Sequence, residues 1–267
     1  MRKLRIGAVS YLNTKPLIYG LERRAADLEL VLDVPSRLAD ELAADRLDVA
    51  LVPSIELLRE PRYVAVSDAC IACRGPVLSV KLFSRVPLDQ IRTLALDEGS
   101  RTSVALVQIL LCKKFNLRPR LEPLAVGATI DDTDADAVLL IGDRAIHSPR
   151  GQFAAVWDLG DQWCRWAGLP FVFAAWTARG DVPLEGLERV LADARSEGVA
   201  HLDEIARREA PALGLTEPQC LAYLRDNLHF YLGPEEQQGL ERFRACAAEL
   251  GLISKTDARL HDYQPAR

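Results

Sequence analysis

Leu4-Arg5-Ile6-Gly7-Ala8-Val9-Ser10-Tyr11-Leu12-Asn13-Thr14-Lys15-Pro16-Leu17 passes from an apolar run into a polar knot and out again. Leu4–Val9 reads as a buried strand. Ser10, Tyr11, Asn13, Thr14 and Lys15 then crowd in before Pro16, a residue favoured at the first helical position, where its missing N–H costs nothing. The polar side chains are therefore expected in the loop between the carboxyl end of a strand and the amino end of a helix. In open α/β sheets that is where ligands bind. A polar turn would account for any single residue here. It does not account for the whole string, which is more specific than turn chemistry requires.

The pattern continues outward as α/β. Leu28–Asp33 and Asp48–Val52 read as further strands, separated by helical stretches of the Leu38–Ala44 type, and a parallel βαβ arrangement follows. Ser36 is a candidate cap for the helix that carries Leu38 and Leu42, and Ser54 for a short helix over Ile55–Arg59. Tyr63–Ala72 and Val77–Ser84 read as strands. A second α/β pattern begins with a strand at Thr93–Leu96, a loop at Asp97–Ser100 and a helix over Thr102–Phe115. Ala137–Ile141 and Phe171–Thr177 are later strands. From Leu184 onward the segments Leu184–Gly198, His201–Glu209, Glu217–Leu228 and Pro234–Leu250 are expected as helices, with no further strand, packing back on the first part of the chain.

Composition narrows the function classes. The 267 residues are nearly half hydrophobic (49%), enough for one large core or two ordinary lobes. The formal charge of −5 comes with no basic run, so nucleic acid is not an expected partner. Met1-Arg2-Lys3 leads straight into the first strand without an apolar leader, and no uncharged stretch is long enough to span a bilayer, so a cytoplasmic protein without a membrane partner is expected. The six cysteines lie in apolar contexts; Cys70-Ile71-Ala72-Cys73 has redox or zinc spacing but sits within a strand-like run and lacks a second pair. The four histidines form no metal spacing. No dinucleotide fingerprint or phosphate loop occurs, so neither a metal nor a cofactor is expected. Oligomeric state is not legible.

The opening string closely resembles that of the chorismate dehydratases of the futalosine route to menaquinone. The resemblance continues, in order, through Val34–Ala39, Leu51–Glu56, Gly75–Val80, Gly99–Ser103, Ile141–Ala145 and Leu169–Trp176, and so covers nearly the whole chain. It implies an α/β, two-lobe type-2 periplasmic-binding-protein-like fold with a central inter-lobe cleft and a helical C-terminal region. Lobe I is expected over 1–84 plus 176–267 and lobe II over 85–175, with crossings near Phe83–Arg85 and Ala174–Trp176. The implied activity is that of a hydro-lyase, converting chorismate to 3-[(1-carboxyvinyl)oxy]benzoate plus water. Two alternatives stand beside it: a carboxylate-binding protein of the same fold without catalysis, and the sister dihydroxynaphthoate synthase, whose first loop differs.

On that resemblance Asn13 and Ser79 are the candidate catalytic residues. Ser100, Arg101, Thr102 and Ser103 follow a strand and open a helix, where unpaired N–H groups and hydroxyls suit a carboxylate; an ordinary capped helix is the alternative. Ser10, Tyr11, Ser54 and Asp143 complete the expected substrate contacts, with Lys15 in second rank. Glu56 and Asp143 are the carboxylates to weigh as a general base, and helix-start roles explain both equally well. The shortage of a base suggests that the substrate's own enolpyruvyl carboxylate takes the proton. The four tryptophans read as packing.

Overall fold

The structure, a computed structural model, describes residues 3–24, 28–147, 151–182 and 184–254; His261 lies outside them. Along the chain run β1 (Leu4–Val9), a 3-10 helix (Leu12–Ile18), α1 (Leu21–Arg24), β2 (Leu28–Asp33), α2 (Pro35–Ala43), β3 (Val49–Pro53), α3 (Ser54–Arg59) and β4 (Tyr63–Cys73). Then follow β5 (Val80–Ser84), β6 (Thr93–Asp97), α4 (Thr102–Phe115), β7 (Arg120–Leu124), β8 (Ala137–Ile141), α5 (Asp143–Ile146), β9 (Ala155–Asp158), α6 (Leu159–Ala167) and β10 (Phe171–Arg179). The last stretch holds α7 (Leu187–Ala200), α8 (Leu202–Glu209), α9 (Glu217–Ala222), β11 (His229–Tyr231) and α10 (Pro234–Glu249).

The strands form two sheets, ordered β11-β4-β10-β3-β1-β2 and β7-β6-β8-β5-β9. β1 pairs parallel with β2 and β3, and β6 with β7 and β8, while β10 and β5 run antiparallel to their neighbours. β3 and β8 are buried along their whole length. That is why Val-Ala-Leu-Val and Ala-Val-Leu-Leu-Ile carry no polar alternation: both faces are covered. β2, at an edge, has no fully buried residue. The ends of β1, β3, β6 and β8 converge where the two sheets face each other.

Several local expectations are corrected. Pro16 does not open a helix; it lies inside the 3-10 helix, which begins at Leu12 and takes Asn13 and Thr14 into its first turn. Ser36 is not a cap, because Pro35 opens α2 from Val34. A short strand does occur after Leu184: β11 extends the first sheet alongside β4. The chain passes between the sheets over 74–79 and again over 159–170, so Val80–Ser84 belongs to the second sheet and Phe171–Ala175 to the first, several residues from the expected crossings. α7 packs on β4 and the 3-10 helix, with Gly198 so close to the Pro16 carbonyl that a Cβ would lie 2.0 Å from its oxygen. α10 touches α4 as well as β10, so the helical tail braces both lobes.

Trp163 and Trp176 are fully buried, and Trp163 stacks edgewise on Phe171 and Phe243 while donating to the Pro170 carbonyl. Cys70 and Cys73 are buried in β4 as free thiols. No described helix is long and apolar enough to cross a membrane.

Candidate active site

A cavity of about 50 Å³ lies between the sheets. From the first lobe Tyr11 and Asn13 enter it just past β1, Pro53 from the end of β3, and Phe173 and Ala174 from β10. Ser79 comes from the crossing segment, Ser100, Thr102 and Ser103 from the start of α4, and Gly142 from the end of β8. Val9, Ile71, Val77 and Ile141 supply apolar wall. Among the described residues lining this cavity none carries a charge.

The polar groups are held as donors. Thr14, fully buried, donates from Oγ1 to Asn13 Oδ1 at 3.3 Å, which leaves the Asn13 NH₂ for a ligand. Ser100 Oγ accepts the Ser103 N–H at 3.2 Å, and Thr102 Oγ1 accepts the Ile55 N–H at 3.1 Å. The Ser100 oxygen is thereby engaged by a backbone donor and its own proton is free to point at an acceptor, whereas Thr102 Oγ1 also lies 3.4 Å from Ser54 Oγ, whose proton goes to the Val172 carbonyl. The first-turn N–H groups of α4 add donors that no helix satisfies internally, with the positive end of its dipole. A carboxylate suits this end of the cavity.

Tyr11 crosses the cleft. Its ring lies against Gly142, where a Cβ would approach ring carbons to 2.8 Å. Burial pushes its hydroxyl up to about 12, and the Asp97 carboxylate adds to the shift. The phenol therefore stays protonated through the neutral range. Asp97 itself is buried, paired with Arg144 and accepting the Gly99 and Ile141 N–H groups.

The remaining candidates do other things. Ser10 is exposed, and its N–H donates to the Asp33 carbonyl at 3.1 Å. Ser54 is buried behind the cavity and donates to the Val172 carbonyl at 2.7 Å. Arg101 turns away to bridge Asp40 (2.6 Å) and Glu56 (3.4 Å), because the helices facing α4 present those carboxylates first. Lys15 pairs with Glu209 at 3.2 Å. Glu56 is taken up by Arg59 and Arg101. None of these five lines the cavity. The apolar lining and the role of Gly142 were missed by the sequence reading; the Ile141-Gly142 motif was the available signal.

Asp143 does not line the cavity either. It accepts the Leu12 N–H through Oδ1 (3.0 Å) and Oδ2 (3.3 Å), tying the 3-10 helix of one lobe to α5 of the other. Burial pushes its pKa above its ordinary value, the Leu12 bond drawing it partly back. A carboxyl raised on folding contributes stability below its unfolded value, near 4, and that contribution is lost as pH rises through the folded value. Asp143→Asn, which keeps an acceptor for Leu12 and cannot ionise, should therefore gain stability over the wild type between about pH 4 and 7, seen in denaturant midpoints at the two ends. It should also keep turnover, whereas Asp143→Ala, leaving the Leu12 N–H unpaired, should lose it. Loss in both variants would mark Asp143 as the proton acceptor.

Two α/β lobes meet at a small cavity of neutral donors, and solved structures share the fold. Protein AF1704 from Archaeoglobus fulgidus superposes with a TM-score of 0.73 at 16% identity, covering 94% of this chain and 98% of the other. The periplasmic aliphatic sulphonate binding protein SsuA from Escherichia coli gives 0.64 at 14% identity over 100% and 94%. The fold is the periplasmic-binding-protein-like one. A family profile described as menaquinone biosynthesis matches residues 4–249, and the chain belongs to that family. A chorismate dehydratase from Thermus thermophilus is 33% identical over 94% of this chain and 97% of its own length.

Proposed function

We propose that the protein is a chorismate dehydratase of menaquinone biosynthesis, eliminating water across C3–C4 of chorismate to give 3-[(1-carboxyvinyl)oxy]benzoate. The observation that carries the reading is the cavity's lining: hydroxyls and one amide, with no charged side chain among the described lining residues. Such a site favours a small anionic ligand that brings its own base.

The ring carboxylate sits at the start of α4, against Ser100, Thr102 and Ser103. There it accepts the charge that develops, through the conjugated ring, as the C3 proton leaves. The enolpyruvyl carboxylate, bonded to C3 through its ether oxygen, takes that proton. The C3–H electron pair becomes the C3–C4 double bond, and the C4–O bond breaks. The departing hydroxide takes that same proton from the enolpyruvyl carboxyl and leaves as water, which restores the carboxylate. Asn13 and Ser79 hold the enolpyruvyl carboxylate over C3 and donate to the leaving oxygen. A well-oriented intramolecular group can supply roughly 7–11 kcal/mol of the barrier, so a weak base suffices. The phenol of Tyr11, kept neutral, walls the ring without competing for the proton. Closure of the lobes excludes water from the elimination.

The reading is tested by offering the purified protein chorismate and, separately, chorismate methylated at the enolpyruvyl carboxylate. Loss of the diene and growth of an aromatic spectrum are expected with the first only. Comparable turnover of the ester would contradict the substrate's carboxylate as base, and no turnover of either would contradict the dehydratase.

A further inference from the structure

The backbone beneath Ser79 is pinned on every side. Leu78 has a φ of +59°, inside a tight turn closed by the Ser79 N–H on the Val77 carbonyl at 2.7 Å. A branched residue in that region of φ is strained and persists only where its surroundings enforce it. Here Asp158 accepts the Val77 and Leu78 N–H groups at 2.9 and 2.6 Å, and Gly142 donates to the Ser79 carbonyl at 2.9 Å. The Ser79 hydroxyl is less well held. Its one described bond, to the Val77 carbonyl, is 3.4 Å long, beyond the usual range for an O–H donor.

Behind it stands Tyr223. This residue opens a five-residue π-helical turn, Tyr223–Asn227, at the end of α9, and such turns recur at functional sites. The same turn reaches the crossing segment a second time, through Asn227 Nδ2 on the Pro76 carbonyl at 2.9 Å. The Tyr223 side chain is fully buried, and its hydroxyl makes no hydrogen bond among the described residues. The Ser79 side chain is close enough to act on that hydroxyl, opposing the effect of burial, but no hydrogen bond joins the two in this structure. Burial pushes the phenol far above its ordinary value, so it keeps its proton throughout the working range. Tyr223 does not line the cavity.

We propose that Tyr223 is a positioning residue for Ser79: its phenol donates to Ser79 Oγ and thereby turns the serine's own proton from the Val77 carbonyl toward the bound substrate. An unpaired buried donor is costly, and this one completes its bond when Ser79 swings to the ligand. The inference rests on the dehydratase reading and on Ser79's part in it.

The test is a double-mutant cycle on chorismate turnover with Tyr223→Phe and Ser79→Ala. Tyr223→Phe removes only the unpaired oxygen, so Tm should hold or rise. Its kcat should fall about tenfold, the worth of one ordinary hydrogen bond, with KM little changed. In the Ser79→Ala background the same substitution should cost nothing further. Wild-type kcat in Tyr223→Phe, or losses that multiply in the double variant, would overturn the inference while leaving the dehydratase reading intact. A wild-type chain that leaves chorismate unchanged would overturn both.

Discussion

Alanine in place of Asn13 should lower kcat by about 10²–10³-fold, the range seen when one preorganised donor to a developing charge is removed. Its effect on KM should be much smaller, because the ring carboxylate keeps its hydroxyls and the start of α4. The size of the effect follows from how Asn13 is held. The Thr14 hydroxyl faces Oδ1 at 3.3 Å, which turns the NH₂ toward the cavity, and Thr14 is itself buried in the 3-10 helix. Aspartate at this position should be equally inactive, since it replaces a donor by a charged acceptor facing a carboxylate. Steady-state kinetics on the two variants, with Tm as a check on folding, measures both effects. Near-normal kcat in Asn13→Ala would remove Asn13 from the reaction.

Gly142→Ala should be the most damaging single methyl in the cleft. Gly142 has φ 73° and ψ −160°, a region essentially reserved for glycine and costing a side chain about 1–3 kcal/mol. The added Cβ would also meet Tyr11 ring carbons at 2.8–3.1 Å. The ring is rigid and half-buried in the cleft between the lobes, so it cannot give as a flexible chain end would. Overpacking of this kind costs roughly another 1–3 kcal/mol. Tm should fall, and kcat/KM should fall with it as Tyr11 is driven off the cavity wall. Trimming the ring in Tyr11→Ala/Gly142→Ala should restore part of the stability and none of the turnover. If Gly142→Ala matched the wild type in both Tm and kcat/KM, the contact between Tyr11 and Gly142 would not be what joins the lobes at the site.

Much of this was legible from local patterns. The strand, polar knot and helix at the amino end, the unbroken apolar runs of β3 and β8, and the hydroxyl-rich start of α4 all follow from short-range rules. What was lost depends on partners distant in the chain. Arg101 opens a helix as expected, but Asp40 and Glu56 claim it, and nothing in Gly-Ser-Arg-Thr-Ser announces them. Asp143 opens α5 as a helix start would, but its carboxylate is taken by the Leu12 N–H, 131 residues earlier. β11 is only three residues long and sits between helices, too short to show a period of two. Tyr223 lies in a helical stretch whose spacing reads as core, and only the fold brings it behind Ser79. The segments that pass between the sheets, 74–79 and 159–170, carry no local pattern that marks them as crossings.

The central claim is tested most directly by mixing the purified protein with chorismate alone and following the products by chromatography with mass detection. The account predicts a product lighter by one water, with an aromatic spectrum, formed without any added cofactor. Chorismate recovered unchanged after binding would contradict it and leave a carboxylate-binding protein in its place.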